Sequence, residues 1–201
     1  MIGHFEELGI ARTFDNDPSF AVLFRTLHQS GRTGEAHALA TEVLGGLLTA
    51  SSAPGTPPSR SGDLNNMAGI ILRTPGLTPD LVALARRCLE RAVELDAKAL
   101  YAVNVGVALA LQGDSEGAHR AGRAAADAAE SMPPGSAARF RAHAALLEII
   151  ALGLDGRRDE AARLLPAARA LADHPRCKTW GSGVRELLAL AERMIAADTP
   201  R

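Results

Sequence analysis

The chain has 201 residues, with 22 basic side chains against 23 acidic ones, a net charge of −1 and the two signs interspersed. That length suits one compact domain or a short repeat array, and the even charge balance excludes the basic footprint of a nucleic-acid binder or an anionic-membrane binder. Aromatic residues are only 3% and strand formers never alternate for long, while Ala, Leu, Arg and Gly dominate, so the chain reads as all-α.

In chain order, the opening MIGHFEELGIARTF places two glutamates where a signal peptide needs a basic and then an apolar region, and no apolar run approaches about 18 residues. A cytoplasmic chain is expected. Cys88 and Cys177 are too far apart for a CxxC pair, and two cysteines do not make a disulfide framework, which suits a reducing compartment. Asp17-Pro18, Thr78-Pro79-Asp80, Asp114 and Ser136 each offer an N-cap, predicting helix starts near 18, 79, 115 and 136. Breaks fall at QSGRTG, RTPGLTP, LQGD, SMPPGS and GLDGR, and SSAPGTPPSRSG (51–62) reads as a flexible linker, leaving about nine helices. The last of them, GVRELLALAERMIAA (183–197), is amphipathic, with Ser182 as a candidate cap.

Aligned on their short turns, four stretches carry an alanine early in a second helix: Ala36, Ala85, Ala118 and Ala161. Ala85 and Ala118 are 33 residues apart, and the other intervals are longer, with insertions at 51–62 and around 127–137. Between them, NVGVALALQGDSEGAHRAGRA spaces Gly106, Gly113, Ala118 and Gly122 where bulky residues would hold two helices apart. Small side chains there let one helix of a pair lie against the other and against the next pair, and a larger one would overpack the contact.

These residues resemble the tetratricopeptide repeat, whose pattern runs through a large residue, Leu-Gly, an aromatic, Ala, an aromatic, Ala and a final Pro. ALARRCLERAVELDAKALYAVNVGVALALQGDSEGA puts Ala85, Leu89, Ala92 and Ala97, then Val105, Gly106, Leu109, Gly113 and Ala118, on that pattern; Phe20, Leu23, Phe24, Leu27, Gly31 and Ala36 match the first repeat, and Gly69 and Leu72 the second. The resemblance implies a single domain: an all-α, TPR-like α-solenoid of antiparallel helix pairs with a C-terminal capping helix. Its four degenerate repeats fall at about 18–50, 63–96, 98–130 and 136–172, with the cap at 183–197. Several positions depart from the family. Gly122 and Ala40 replace the aromatic of the second helix, Ala97 and Asp173 replace the final proline, Glu148 stands where Leu is expected, and Pro166 interrupts a helix.

In that family the first helix of each pair lines a concave groove that takes an extended peptide or a partner helix. Carried onto this chain, the lining is Ala21, Arg25 and His28; Asn66, Met67, Ile70 and Arg73; Val103, Asn104 and Val107; and Leu147, Ile150 and Leu154. Arg25 and Arg73 read either as ligands for a carboxylate or as solvated helix faces. Asn104, in an otherwise apolar helix, needs a polar partner. The lysines and asparagines of the family's carboxylate clamp are not reproduced, so chaperone tails are not expected.

Elsewhere, Glu148 in ALLEIIAL would be a general acid or base if buried, and otherwise marks an exposed stripe. Of the six histidines, none sits at HxxxH or HExxH spacing; His28 and His37 flank one turn, and DHPRCKTW brings His174 near Cys177. The expectation is a non-catalytic scaffold binding a protein or peptide segment through Arg25, His28, Asn66, Met67, Ile70, Arg73, Val103, Asn104, Val107 and Ile150. No metal, cofactor, nucleic acid or membrane is expected. The alternatives are a helical accessory enzyme of a biosynthetic pathway with a pocket in the groove, and a homodimerising module.

Overall fold

The computed structural model describes residues 18–178 and 183–196. Among them are nine α-helices and no strand: α1 (Pro18–Gln29), α2 (Thr33–Ser51), α3 (Arg60–Leu72), α4 (Pro79–Leu95), α5 (Ala99–Leu111), α6 (Ser115–Glu130), α7 (Pro134–Leu154), α8 (Arg158–Ala172) and α9 (Val184–Ala196), with a short 3-10 turn at Pro175–Cys177. None of these helices is long and apolar enough to cross a membrane. Thr78 and Asp114 cap as their sequence positions suggest, Thr78 Oγ1 accepting from the Leu81 amide at 3.3 Å and Asp114 Oδ1 from Gly117 at 2.8 Å. Asp17 and Ser182 lie outside the described residues. Ser136 does not cap a helix: α7 begins earlier, at Pro134, where a proline costs no hydrogen bond. The linker expected over 51–62 is shorter than its composition suggests, because Ser51 closes α2 and Arg60 already opens α3.

Three of the helix connections are the same turn. After α1, α5 and α7, a glycine at φ 78°, 81° and 76° (Gly31, Gly113, Gly156) turns the chain into the left-handed region, where a side chain would be strained. The residue after each glycine donates back to the helix, Arg32 to Leu27 at 2.9 Å, Asp114 to Leu109 at 3.0 Å and Arg157 to Leu152 at 2.8 Å. The glycine amides bond one residue further along, to His28, Ala110 and Gly153. Each turn therefore pairs carbonyls that the helix end would leave open. Immediately after it, Ala36, Ala118 and Ala161 enter the next helix fully buried, their amides bonded to Arg32, Asp114 and Arg157. In α4 that hydrogen-bond position belongs to Val82, which bonds to Thr78; Ala85, also fully buried, lies one turn further along.

Successive helices pack on one another, and so do several pairs two apart in the chain: α2 with α4, α3 with α5, α5 with α7 and α7 with α9. Small residues set the distances. A Cβ at Gly106 of α5 would collide with the Ala121 side chain of α6, one at Gly122 would lie 3.3 Å from the Ala144 carbonyl of α7, and one at Gly153 would lie 2.8 Å from Met194 Cβ of α9. Pro166 is accommodated within a continuous α8 because it and Ala162, whose carbonyl loses its helical partner, are both on the exposed side.

The buried side chains form two clusters. One joins α1 to α4 through Phe20, Phe24, Leu44, Leu64, Ile71 and Leu89; the other joins α6 to α9 through Ala118, Ala125, Leu146, Ile149, Ile150 and Leu187. Helix α5 belongs to both, giving Tyr101 and Ala108 to the first and Val103 and Ala110 to the second.

Candidate functional site

A half-open cavity of about 480 Å³ lies where these two clusters meet. Its walls come from the C-terminal end of α3 with the following turn, from α4 through Val82, from α5 through Asn104, Val107 and Leu111, and from α7 through His143. Helix α9 forms the remaining side with Glu186, Leu187, Leu190 and Arg193. The volume lies within the range of about 300–1,000 Å³ usual for ligand pockets, as does the combination of apolar walls with a few polar groups.

Those polar groups are held by short-range geometry. Asn104 Nδ2 donates to Asn65 Oδ1 at 2.8 Å, and both residues are buried, at 5% and 4% exposure. The bond gives each of two buried amides a partner that burial would otherwise make costly to lack, and leaves the second hydrogen of the Asn104 amide without a partner among the described residues. His143, 2% exposed, places Nδ1 2.9 Å from the Arg139 carbonyl one turn earlier. A carbonyl can only accept, so the proton is on Nδ1. Arg73, just beyond α3, packs its guanidinium over Gly69, where a Cβ would lie 3.6 Å from one terminal nitrogen and 3.5 Å from the Asn104 amide nitrogen. The same guanidinium lies against the backbone of Gly183, the residue before α9, where a Cβ would come within 2.7 Å of Nε. Burial lowers the Arg73 pKa from its ordinary value; the negative charge of Glu186 opposes that shift, and the positive charges of Arg139 and Arg25 add to it.

Of the residues expected to bind, Arg73, Asn104 and Val107 meet in this cavity. Arg25 is half-buried on α1, close enough for its charge to act on Arg73. His28 lies apart, its ring centroid 6.4 Å from those of both Phe24 and His37. Asn66 is exposed and bonded to Asn65, so it is the neighbouring asparagine that turns inward. Ile70 is half-buried against the first cluster. Met67, Val103 and Ile150 are closed core residues at 2%, 1% and 0% exposure, so none of them offers a surface to a ligand. Helices α5 and α7 bury apolar residues on more than one side, so their pattern alone does not reveal which face lines the cavity.

Sequence reasoning missed His143, Glu186 and Arg193. Glu186 and Arg193 stand seven residues apart on α9, two turns along one stripe, which was the available signal. The resemblance implies a capping role for α9; the helix also lines the cavity through Glu186, Leu187, Leu190 and Arg193. Glu148 is not in the cavity lining; it is half-exposed on α7 and paired with His119 of α6. The Cys177 thiol is buried and its pKa raised by that burial, which disfavours the nucleophilic thiolate. Burial likewise pushes the Cys88 thiol up to about 12, beside the Leu44 carbonyl. Among the described residues, no three His, Cys, Asp or Glu side chains gather as metal ligands would. No family model matches the chain, and no curated protein or solved structure matches it.

Proposed function

We propose that the chain is a non-catalytic, tetratricopeptide-like helical-repeat module that holds a short protein or peptide segment on the side formed by the first helices of its pairs. The observation that carries this reading is the composition of the cavity: α3, α5 and α7, the first helices of three successive pairs, all contribute to it, and α9 bounds it. The repeated glycine turns and the packing between helices two apart in the chain support a stacked solenoid with one such common face. Asn104 and Arg73 supply polar recognition, and Val107 and Leu111 apolar contact. Glu148, the acid that the enzymatic alternative would use, lies outside the cavity lining, whereas Asn104 and His143 are part of it.

The test is capture from the native host with the intact chain as bait, followed by binding measurements on the captured segment. Substituting Arg25 and Arg73 together is expected to weaken that segment's affinity by about tenfold or more, since each charge-assisted hydrogen bond contributes about 1.5–3 kcal/mol. Unchanged affinity would remove the assignment of this face.

A further inference from the structure

Arg73 has neither a hydrogen bond nor an ion pair with any described residue, although its guanidinium is half-buried on the cavity wall. A partly desolvated charge without a partner is unfavourable unless something supplies the opposite charge. Gly69 and Gly183 both border it where side chains would intrude, and Gly183 adopts φ 73°, open chiefly to glycine. Beside it, the Asn104 amide nitrogen spends one hydrogen on Asn65, and its second has no partner among the described residues. Arg25 and Arg139 strengthen the positive potential at this point. Glu186, the one carboxylate in the lining, is exposed at the rim and lies beyond ion-pair distance of Arg73. Beyond the polar end the walls turn aliphatic, with Val82, Val107, Leu111 and Leu190.

We propose that this cavity is a receptor site for a small aliphatic carboxylic acid, its carboxylate paired with Arg73 and Asn104 and its hydrocarbon chain lying against Val82, Val107 and Leu190. A planar carboxylate accepts two parallel bonds from a guanidinium. Glu186 repels the same carboxylate and so limits its affinity. The assignment rests on reading the cavity as a binding site, and it goes beyond a protein segment to a small ligand that would occupy the same space.

The probe is octanoate, titrated into the intact chain by calorimetry, with octanol and octylammonium as neutral and cationic matches of the same length. Octanoate is expected to bind about tenfold to a hundredfold more tightly than octanol, with octylammonium weaker still. Arg73→Met should abolish the preference for octanoate over octanol, and Glu186→Gln should tighten octanoate, a gain that a misfolded variant would not give. Equal binding of octanoate and octanol to the unaltered chain, or an unchanged preference in Arg73→Met, overturns the proposal. Acetyl-leucyl-leucine with a free carboxylate tests a chain terminus as the source; tighter binding of that dipeptide than of octanoate overturns the assignment to a free acid. If octanoate fails to bind while the captured segment still depends on Arg25 and Arg73, the small-acid site falls and the segment-binding reading stands. The opposite pair of results removes the segment reading alone.

Discussion

The two clusters of the molecule are built on different principles. Between α1 and α4 the helices are held apart by bulk: Phe20 and Phe24 stack with ring centroids 5.8 Å apart, and Leu44, Leu64, Ile71 and Leu89 fill the space. Around α6 they are drawn together by the absence of bulk, since that helix buries Gly117, Ala118, Gly122, Ala125 and Ala129 and its neighbours close in until Gly106 has no room for a methyl group. Large side chains contribute apolar area directly; small ones contribute by bringing backbones and neighbouring chains into van der Waals contact. The cavity lies between the two regions, beside the buried Asn65–Asn104 hydrogen bond that joins α3 to α5.

The contrast predicts opposite sensitivities. Phe24→Ala should have the largest effect, destabilising the chain by about 3–5 kcal/mol, because a fully buried ring leaves a void. Hydrogen exchange should then accelerate in α1 and α2 while α7 keeps its protection, since neither helix of the first pair packs extensively on α7. Equal acceleration in α7 would show one cooperative unit and erase the distinction. Next, Gly106→Val should cost about 1–3 kcal/mol through overpacking against Ala121, measured by denaturant unfolding. A neutral result would mean that α5 and α6 can separate freely, against the close-packed account of the second region.

At the junction, Asn104→Ala should cost about 1–3 kcal/mol by leaving the buried Asn65 amide without its partner. Replacing both asparagines by leucine should recover part of that loss, and a double-mutant cycle would give the coupling. The smallest effect concerns acid. Burial, and secondarily the neighbouring His28, lower the His37 pKa below its ordinary value of 6.5. The folded chain therefore takes up this proton less readily than the unfolded one, so the stability is intact above about pH 6.5 and declines as pH falls below it. His37→Asn should flatten that decline in thermal melts between neutral and mildly acidic pH, whereas the second region should show no matching dependence through His37.

Much of the helical punctuation was legible because it is local. A proline after Thr78, an aspartate before Ser115 and glycines at 31, 113 and 156 act within a turn of themselves, and the helices start or stop there. Ser136 misled because two prolines upstream already permitted the helix to begin. The candidate site was legible only in part. Arg73 and Asn104 stood out as polar residues in apolar surroundings, whereas the apolar pattern did not separate Met67, Val103 and Ile150, which are buried in the core, from side chains that line the cavity. His143, which takes its backbone partner within its own helix, gives no outward sign in sequence that it borders a cavity.

By itself, the sequence determined that this chain is helical and where most of its helices begin and end, because those outcomes depend on interactions within a few residues; of the evenly spaced glycines, Gly106 and Gly122 stand at close helix contacts, whereas Gly113 serves a turn with open space around it. Only the tertiary structure decided that Asn65 rather than Asn66 meets Asn104, that α9 contributes a wall of the cavity, and that Arg73 stands between two glycines 114 residues apart in sequence (69 and 183) without an ionic partner among the described residues. Those arrangements depend on how far apart separately formed helices come to rest, a distance set by all the side chains between them at once.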